Sequence, residues 1–427
     1  MNTVSKKRIV VLGAGFGGVY TVKHLHRLLK RRRDIEIVLV NNTNYFLFTP
    51  LLHEVATGSI APANIVEPIR KALGTAVSEF YLDEVKKVSL TKKQVRLKNK
   101  TLSYDYLVAA LGAHTNFFGT PGAEKHAFTL KTLDDAILLK NHMITAFEQA
   151  STEADKKKRL ELLSFVVVGG GPTGVELASE MAELFFKTFA KEYPKKIIEE
   201  VTVTLIQRSE ELIPQYGAEL RTIAQDSLTK LGVTVRCNSS VTDVSAHSVT
   251  LGDNTVIPAH TVVWCAGIDP CGINCTEPIG KEKNGKIIVN EFLQVPNYPE
   301  VFVLGDSASS RSSDTGELVP ALAQVATKQG EFAAHTISHI ITKKPLKSFT
   351  YRHSGSLVSF GQWNAGADLG GIILNGKLAW WFWRTIYVSK LISFTKKVQV
   401  IVDWTLNLFS PRDIARLYTN CKHKDKR

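Results

Sequence analysis

Gly13, Gly15 and Gly18 stand at the spacing G-x-G-x-x-G inside "RIVVLGAGFGGVYTVKHLHRLL". Glycines so spaced allow a tight turn and let backbone N–H groups approach a pyrophosphate at a helix N-terminus. The spacing recurs at Gly169, Gly171 and Gly174 in "FVVVGGGPTGVELASEM". One such loop is a weak signal. Two, each between an apolar strand and a helix, point to two dinucleotide sites. In such units an acid usually closes the second strand and holds a ribose 2′-hydroxyl. Here Asn41 takes that place in the first unit, and Gln207, followed by Arg208, takes it in the second. An amide does not repel a 2′-phosphate, and a neighbouring guanidinium can pair with one. An amide oxygen can equally accept from a 2′-hydroxyl while Arg208 points to solvent, so the choice of nucleotide stays open.

Three more apolar strands run into glycine: "YDYLVAALG" at Gly112, "HTVVWCAG" at Gly267 and "VFVLGDSAS" at Gly305. Asp306 follows the last. A carboxylate there can bind a ribityl or ribose hydroxyl beside a helix-bound phosphate, or cap the next helix. These repeated strand–turn–helix units predict an α/β protein with two Rossmann-like domains. The expected layout is a first part of one domain over 1–125 and a helical connection over 126–160. The second domain spans 161–285, and the first domain is completed over 286–350. A C-terminal region covers 351–427.

At 427 residues the chain exceeds one compact core. The five cysteines show no metal-ligand spacing, so neither a metal site nor a disulfide framework is expected. Cys271 and Cys275 read as loop thiols rather than a redox pair. The N-terminus enters a strand too soon to leave room for a signal peptide. No stretch offers the roughly 20 apolar residues of a membrane span.

The C-terminal region differs in kind. From Lys377 onward, 11 Lys or Arg stand against three Asp, carrying +8 of the chain's +13. Trp380, Trp383, Tyr387, Leu391, Phe394, Val398 and Ile401 recur every three or four residues, as one helical stripe would. A basic amphipathic helix with Trp and Phe fits an interfacial anchor on anionic lipid, reinforced by the terminal "CKHKDKR". The alternative is a helix packed on the protein's own core. Deleting Lys377–Arg427 is expected to release the protein from membranes and leave its soluble chemistry intact. The aromatics are not interleaved with basic residues as nucleic-acid binders have them, so no nucleic-acid partner is expected.

Together "VVLGAGFGG", "FTPLLHEVATGSI", "YDYLVAALG", "VVVGGGPTGVELASEM", "VFVLGDSAS", "VPALAQVATKQG" and "HSGSLVS" resemble the type II NADH dehydrogenases. These are single-subunit, non-pumping NADH:quinone oxidoreductases. The resemblance runs from near residue 8 to near residue 360. It implies non-covalent FAD in the first domain. Gly13, Gly15, Phe16, Gly17 and Gly18 would face the pyrophosphate, Asn41 the adenosine ribose, and Val85 the adenine through its backbone. Thr49 and Pro50 would lie near the isoalloxazine, Gly112 along the pocket, and Asp306 on the ribityl and phosphate side. NADH or NADPH would bind around Gly169–Gly174. Glu176 matches the family's carboxylate near the nicotinamide and flavin, where it can orient a carboxamide or relay a proton; a solvated first-turn Glu is the plainer alternative.

"AQVATKQG" resembles the quinone motif. Gln324 matches its first glutamine, but Lys328 stands where the second is common, and Gln329 follows. Either Lys328 donates to a quinone carbonyl, or Gln329 takes the role. The implied mechanism passes hydride from NAD(P)H to FAD and two electrons to a membrane quinone. The implied location is peripheral on a membrane, on the cytoplasmic face of the inner membrane in a bacterium; a homodimer stays open. Two rivals remain: a sulfide:quinone reductase, which would need reactive cysteines beside the flavin, and a non-enzymatic nucleotide-binding protein.

Overall fold

A computed structural model describes residues 6–416; Cys421 and the end of the basic tail lie outside them. The described chain forms two compact units. The first gathers residues 6–47, 66–114 and 268–353. Its six-stranded sheet runs Gln294–Val295, Tyr298–Val303, Tyr106–Ala109, Lys7–Leu12, Ile35–Asn41, Glu79–Leu82. All neighbours are parallel except the first pair. The central strands are apolar without alternation because both faces are covered. Val10, Leu12, Val38, Val40, Leu107 and Val303 face one apolar cluster with Val88, Val95 and Leu102 of a small antiparallel sheet. Helices Phe16–Leu29 and Ala323–Thr342 pack together in the same unit. They approach closely because position 330 is glycine: a Cβ there would lie 2.4 Å from the Gly17 carbonyl oxygen.

The second unit gathers residues 48–65, 115–267 and 354–416. Its parallel sheet runs Thr234–Arg236, Thr202–Ile206, Ser164–Val168, Thr261–Trp264. Each unit is thus a Rossmann-type parallel sheet with its own glycine turn. Val166, Val168, Ile206, Val262 and Trp264 pack against Val244, Val249 and Leu251 of an antiparallel three-stranded sheet. Helix Leu133–Thr152 opens on a capping box, with Thr132 and Asp135 exchanging side-chain and backbone bonds.

The C-terminal stripe is divided. Two helices form, Gly376–Lys390 and Phe394–Phe409, and the Ser393 hydroxyl accepts from the Lys396 N–H to start the second. Trp380, Trp383, Leu391, Val400 and Trp404 are buried. Trp383 stacks on Tyr387 with ring centroids 4.3 Å apart, and its ring meets His53 edge-on. By contrast Leu378, Trp381, Phe394, Val398, Ile401, Val402, Leu406 and Phe409 are exposed. One side of the pair therefore builds the second unit's core and the other is apolar and bare. This corrects the picture of a detachable tail. Cutting at Lys377 would remove three buried tryptophans, so a truncated chain would lose its core along with any anchor. No helix among the described residues is long and apolar enough to cross a membrane.

Candidate active site

The two glycine turns are built alike. Gly13 has φ +93°, and a Cβ on it would fall 2.3 Å from the Ala110 carbonyl oxygen. Gly169 has φ +108°, and its Cβ would meet the backbone of Ala266 at 2.6 Å. A Cβ at Gly18 would lie 1.8 Å from the Gly13 oxygen, and one at Gly174 would lie 1.9 Å from the Gly169 oxygen. In each turn the first and third glycines are therefore needed for close packing. The middle ones differ. Gly15 and Gly171 are the residues before their helices, and a Cβ on either would meet nothing within 4 Å. Each helix N-terminus thus opens on empty space, as a pyrophosphate cradle requires. Both cradles fit a dinucleotide.

The two amides at the strand ends serve these turns. Asn41 Oδ1 accepts from the Ala14 N–H at 2.8 Å, while its amide donates to Thr43. Gln207 Oε1 accepts from the Gly170 N–H at 2.9 Å, and its amide donates to the Ser209 hydroxyl. Arg208 is exposed, its guanidinium over the Phe118 ring. Val85 opens the strand Val85–Ser89 and is half-buried. Thr49 and Pro50 make one helical turn, Thr49–Leu51, in the second unit, which also holds Gly267.

In the first unit Asp306 sits in a single turn, Gly305–Ser307, after its strand. Gln329 braces that turn. Its oxygen accepts from the Gly305 N–H at 2.7 Å, its nitrogen donates to the Ser310 hydroxyl at 2.8 Å, and it is buried. The Ser307 hydroxyl donates to the Gly112 oxygen at 2.8 Å, tying the two strand-to-glycine steps together. Lys328, next to Gln329, is exposed with its ammonium over the Tyr351 ring. Gln324 is half-buried, its amide nitrogen 3.3 Å from His353 Nδ1. Of the pair Lys328 and Gln329, Gln329 is committed to the turn and Lys328 is the one exposed to solvent.

Glu176 does not lie in a solvated first turn. It is buried on helix Pro172–Glu183, where Glu180 and Glu183 follow on the same face. The Ser359 N–H donates to Glu176 Oε1 at 3.2 Å, and His53 Nδ1 approaches Oε2 at 3.7 Å. Burial pushes the Glu176 carboxyl up to about 8, although the Ser359 bond opposes it. Burial pushes the His53 imidazole down to about 4. At neutral pH the contact is therefore between two neutral groups. His53 Nε2 is buried with no hydrogen-bond partner, an opening for water or a ligand atom.

Beyond Glu176 the acid face continues. Burial drives the Glu54 carboxyl up to about 7, with Glu180 adding to it, and the Trp404 indole N–H donates to Glu54 Oε2. Burial would also raise Glu180, but Arg412 and the Ser59 hydroxyl outweigh it and hold it below the usual carboxylate range. Arg412 NH1 lies 2.7 Å from Glu180 and NH2 3.2 Å from Glu183. Arg384 is sandwiched between Trp380 and Trp404, 3.7 and 4.6 Å from their ring centroids. Glu54, Ser59, Glu180, Arg384, Asn407 and Arg412 line a cavity of about 20 Å³, room for a water molecule. Among the four carboxyls of this cluster, burial favours the protonated form of Glu176, Glu54 and Glu183, while Glu180 stays the anion paired with Arg412. Sequence reasoning found Glu176 and missed its neighbours. The visible signal was Glu176, Glu180 and Glu183 at i, i+4 and i+7 on an otherwise apolar helix face.

No disulfide links the four described cysteines. Burial pushes Cys265 up to about 12 and Cys275 up to about 11, which suppresses thiolate chemistry. Suppressed thiolates at Cys265 and Cys275 count against the sulfide:quinone reading, which needs reactive cysteines.

Residues 7–330 match the family model for pyridine nucleotide-disulphide oxidoreductases, and residues 353–413 match that of the NDH2 C-terminal domain. The type II NADH:quinone oxidoreductase Ndh of Mycobacterium tuberculosis is 33% identical over 95% of this chain and 89% of its own length. A mitochondrial external alternative NAD(P)H-ubiquinone oxidoreductase of Arabidopsis thaliana is 28% identical over 97% of this chain and 90% of its own. In fold, NDH2 of Plasmodium falciparum, solved with NADH, matches at TM-score 0.88 and 21% identity, covering 96% of this chain and all of that one. The sulfide:quinone oxidoreductase of Aquifex aeolicus matches less well, at TM-score 0.74, 20% identity and 96% of both chains. Sequence and fold agree: the chain belongs to the type II NADH:quinone oxidoreductases, within the pyridine nucleotide-disulphide oxidoreductases.

Proposed function

We propose that this chain oxidises NADH and reduces a quinone through FAD. The observation that carries the reading is the pair of matching open cradles at Gly15 and Gly171, one on each parallel sheet. Bound FAD would accept a hydride and release two electrons; everything else falls to the protein. Gly13–Gly18 hold the FAD pyrophosphate at the first helix N-terminus, and Asp306, set by Gln329, binds ribityl hydroxyls. Gly169–Gly174 hold the nicotinamide nucleotide. Gln324 and Lys328 orient the quinone head, with Lys328 donating to its carbonyl. Glu176 keeps a proton in a dry site at neutral pH. Reducing a quinone to a quinol takes two electrons and two protons, so a held proton is useful there. The purified protein should be yellow, bleach on adding NADH, and regain its colour when a quinone follows under anaerobic conditions. Absence of bleaching by NADH would refute the reading.

The bare apolar side of the C-terminal helices supports docking on lipid. Trp381, Phe394, Ile401, Leu406 and Phe409 are exposed there, with Lys390 and Lys397 close in sequence. An apolar face of this kind beside basic residues enters the headgroup region of a bilayer. Replacing Phe394, Leu406 and Phe409 together by Ser removes no buried side chain. It should shift the protein from anionic vesicles to the supernatant on flotation, with NADH oxidation by a soluble acceptor kept. Undiminished vesicle binding would count against this surface.

Gln207 leaves nucleotide choice relaxed. Gln207→Glu keeps the acceptor for Gly170, and the Ser209 hydroxyl can turn to donate. The new carboxylate would face a 2′-phosphate, so the NADPH-to-NADH ratio of kcat/KM should fall by about tenfold or more. An unchanged ratio would remove Gln207 from nucleotide selection.

A further inference from the structure

Glu161, His247 and His260 come together in the second unit, away from the glycine cradle, with one ligand atom from each within 4.8 Å of the others. We propose that this trio is a binding site for a divalent d-block cation of the zinc type. Two imidazoles and one carboxylate, leaving a fourth position for water, form a donor set that zinc takes readily.

The trio is set by its backbone. Glu161 lies on helix Lys156–Leu162, His247 in the turn between strands Val241–Val244 and Ser248–Leu251, and His260 just before strand Thr261–Trp264. The His260 N–H donates to the Glu161 oxygen at 3.1 Å, and the Ala259 N–H donates to the His247 oxygen at 2.9 Å. The His247 N–H donates to the Ser245 hydroxyl at 3.1 Å. Three separate elements are thereby fixed to one another at the ligands themselves. Behind them the His142 ring stacks on His260, centroids 5.1 Å apart and planes at 22°, and is itself held 3.0 Å from the Thr261 hydroxyl. A ligand ring oriented in this way loses little freedom on binding a metal.

His247 Nδ1 and Glu161 Oε1 are now in direct hydrogen-bond contact. Tetrahedral ligands bonded at zinc distances stand about 3.3 Å apart, so the metal would replace this hydrogen bond after a small opening. The exposed His247 side chain has room to give it. A second trio, His24, Glu331 and His335, has similar ligand types. There, Lys23 and Arg27 act on His24 as positive charges that disfavour another cation. At His260 the neighbouring charges are Glu161, which favours a cation, and His247, itself a member of the trio. The second trio serves as the control.

Untagged, flavin-loaded, full-length protein is stripped with a chelator and titrated with Zn2+ against a chromophoric chelator; Co2+ serves as a spectroscopic probe. One equivalent of Zn2+ should bind, Co2+ should develop the visible bands of a tetrahedral site, and Zn2+ should raise the melting temperature. His247→Ala lies in an exposed turn and should melt normally without metal. It should lose the Zn2+-dependent rise and weaken binding by about tenfold or more, as should Glu161→Gln. His335→Ala should change neither. A stoichiometric site that survives both His247→Ala and Glu161→Gln, one that vanishes in His335→Ala, or no stoichiometric binding at all would overturn the proposal.

Discussion

Arg412→Ala should destabilise the protein by about 3–5 kcal/mol, the cost of removing the partner of buried charge. The Arg412 side chain is mostly buried, within 2.7 Å of Glu180 and 3.2 Å of Glu183, whose side chains are 5% and 2% exposed. Without it Glu180 keeps hydroxyl donors from Thr57 and Ser59 and the charge of Arg384, while Glu183 still has Lys187. The loss should depend on pH. With Arg412 present, the Glu180 carboxyl is held down, so its contribution is present above the ordinary value of 4.5 and fades as pH falls through the lower folded value. Without Arg412, the Ser59 hydroxyl and Arg384 still oppose burial, but the largest opposing charge is gone and the folded value is expected to rise above 4.5. The folded state then holds a proton the unfolded state has released, and stability drops as pH rises above 4.5. The penalty should therefore be larger in mild alkali than in mild acid. Glu180→Gln in the Arg412→Ala background should recover a good part of it, since the unpaired charge is gone. Denaturant unfolding at several pH values reads both effects. A loss below about 1 kcal/mol at every pH would mean that Arg412 is not the counter-charge described.

The parts of the fold legible in the sequence are those written in local spacing. The glycine turns, the apolar strands ending at Ala109 and Val303, and the helix after each turn all follow from short-range sterics and periodicity. Asn41 and Gln207 could be placed at strand ends. Their bonds to Ala14 and Gly170 could not, because these join strand end to turn across a gap in sequence. The C-terminal stripe shows the limit of periodicity. Spacing identified Trp380, Trp383 and Leu391 as one apolar face but could not tell a face that meets the protein's own core from one left bare. Ser393 then broke the stripe, since a serine N-cap starts a new helix in a new direction. Gln329 and Lys328 were indistinguishable as neighbours in sequence; burial and the Gly305 and Ser310 bonds separate them. The acid cluster was hardest, because Arg384, Trp404 and Arg412 reach Glu54, Glu180 and Glu183 from the far end of the chain. Buried ionisable groups make sense only with their partners, and partners distant in sequence leave no local trace.

Glu176→Gln should lower turnover by about 10²-fold or more while making the protein more stable in alkali. The amide keeps the size of the carboxyl and its acceptor for the Ser359 N–H, but it cannot release a proton. If Glu176 supplies a proton during quinone reduction, the loss falls in the range of general acid–base catalysis. Flavin reduction by NADH, followed in stopped flow, should be much less affected than reoxidation by quinone. The pH profile separates this role from a structural one. Burial holds the wild-type carboxyl at about 8, so wild-type activity should decline as pH rises past that value. The residual activity of the variant should lack that limb. Stability moves oppositely. The folded value lies above the ordinary 4.5, so the folded state binds the extra proton between these limits and wild-type stability falls as pH rises from 4.5 to about 8. The variant has no such group, and its advantage should grow across that window to a few kcal/mol and then level off. Reduced turnover together with raised alkaline stability is the mark of a carboxyl kept buried for its proton, since a carboxyl retained for packing would lose both on substitution. Equal slowing of flavin reduction and reoxidation, with an unchanged pH limb, would instead place Glu176 in holding the nicotinamide.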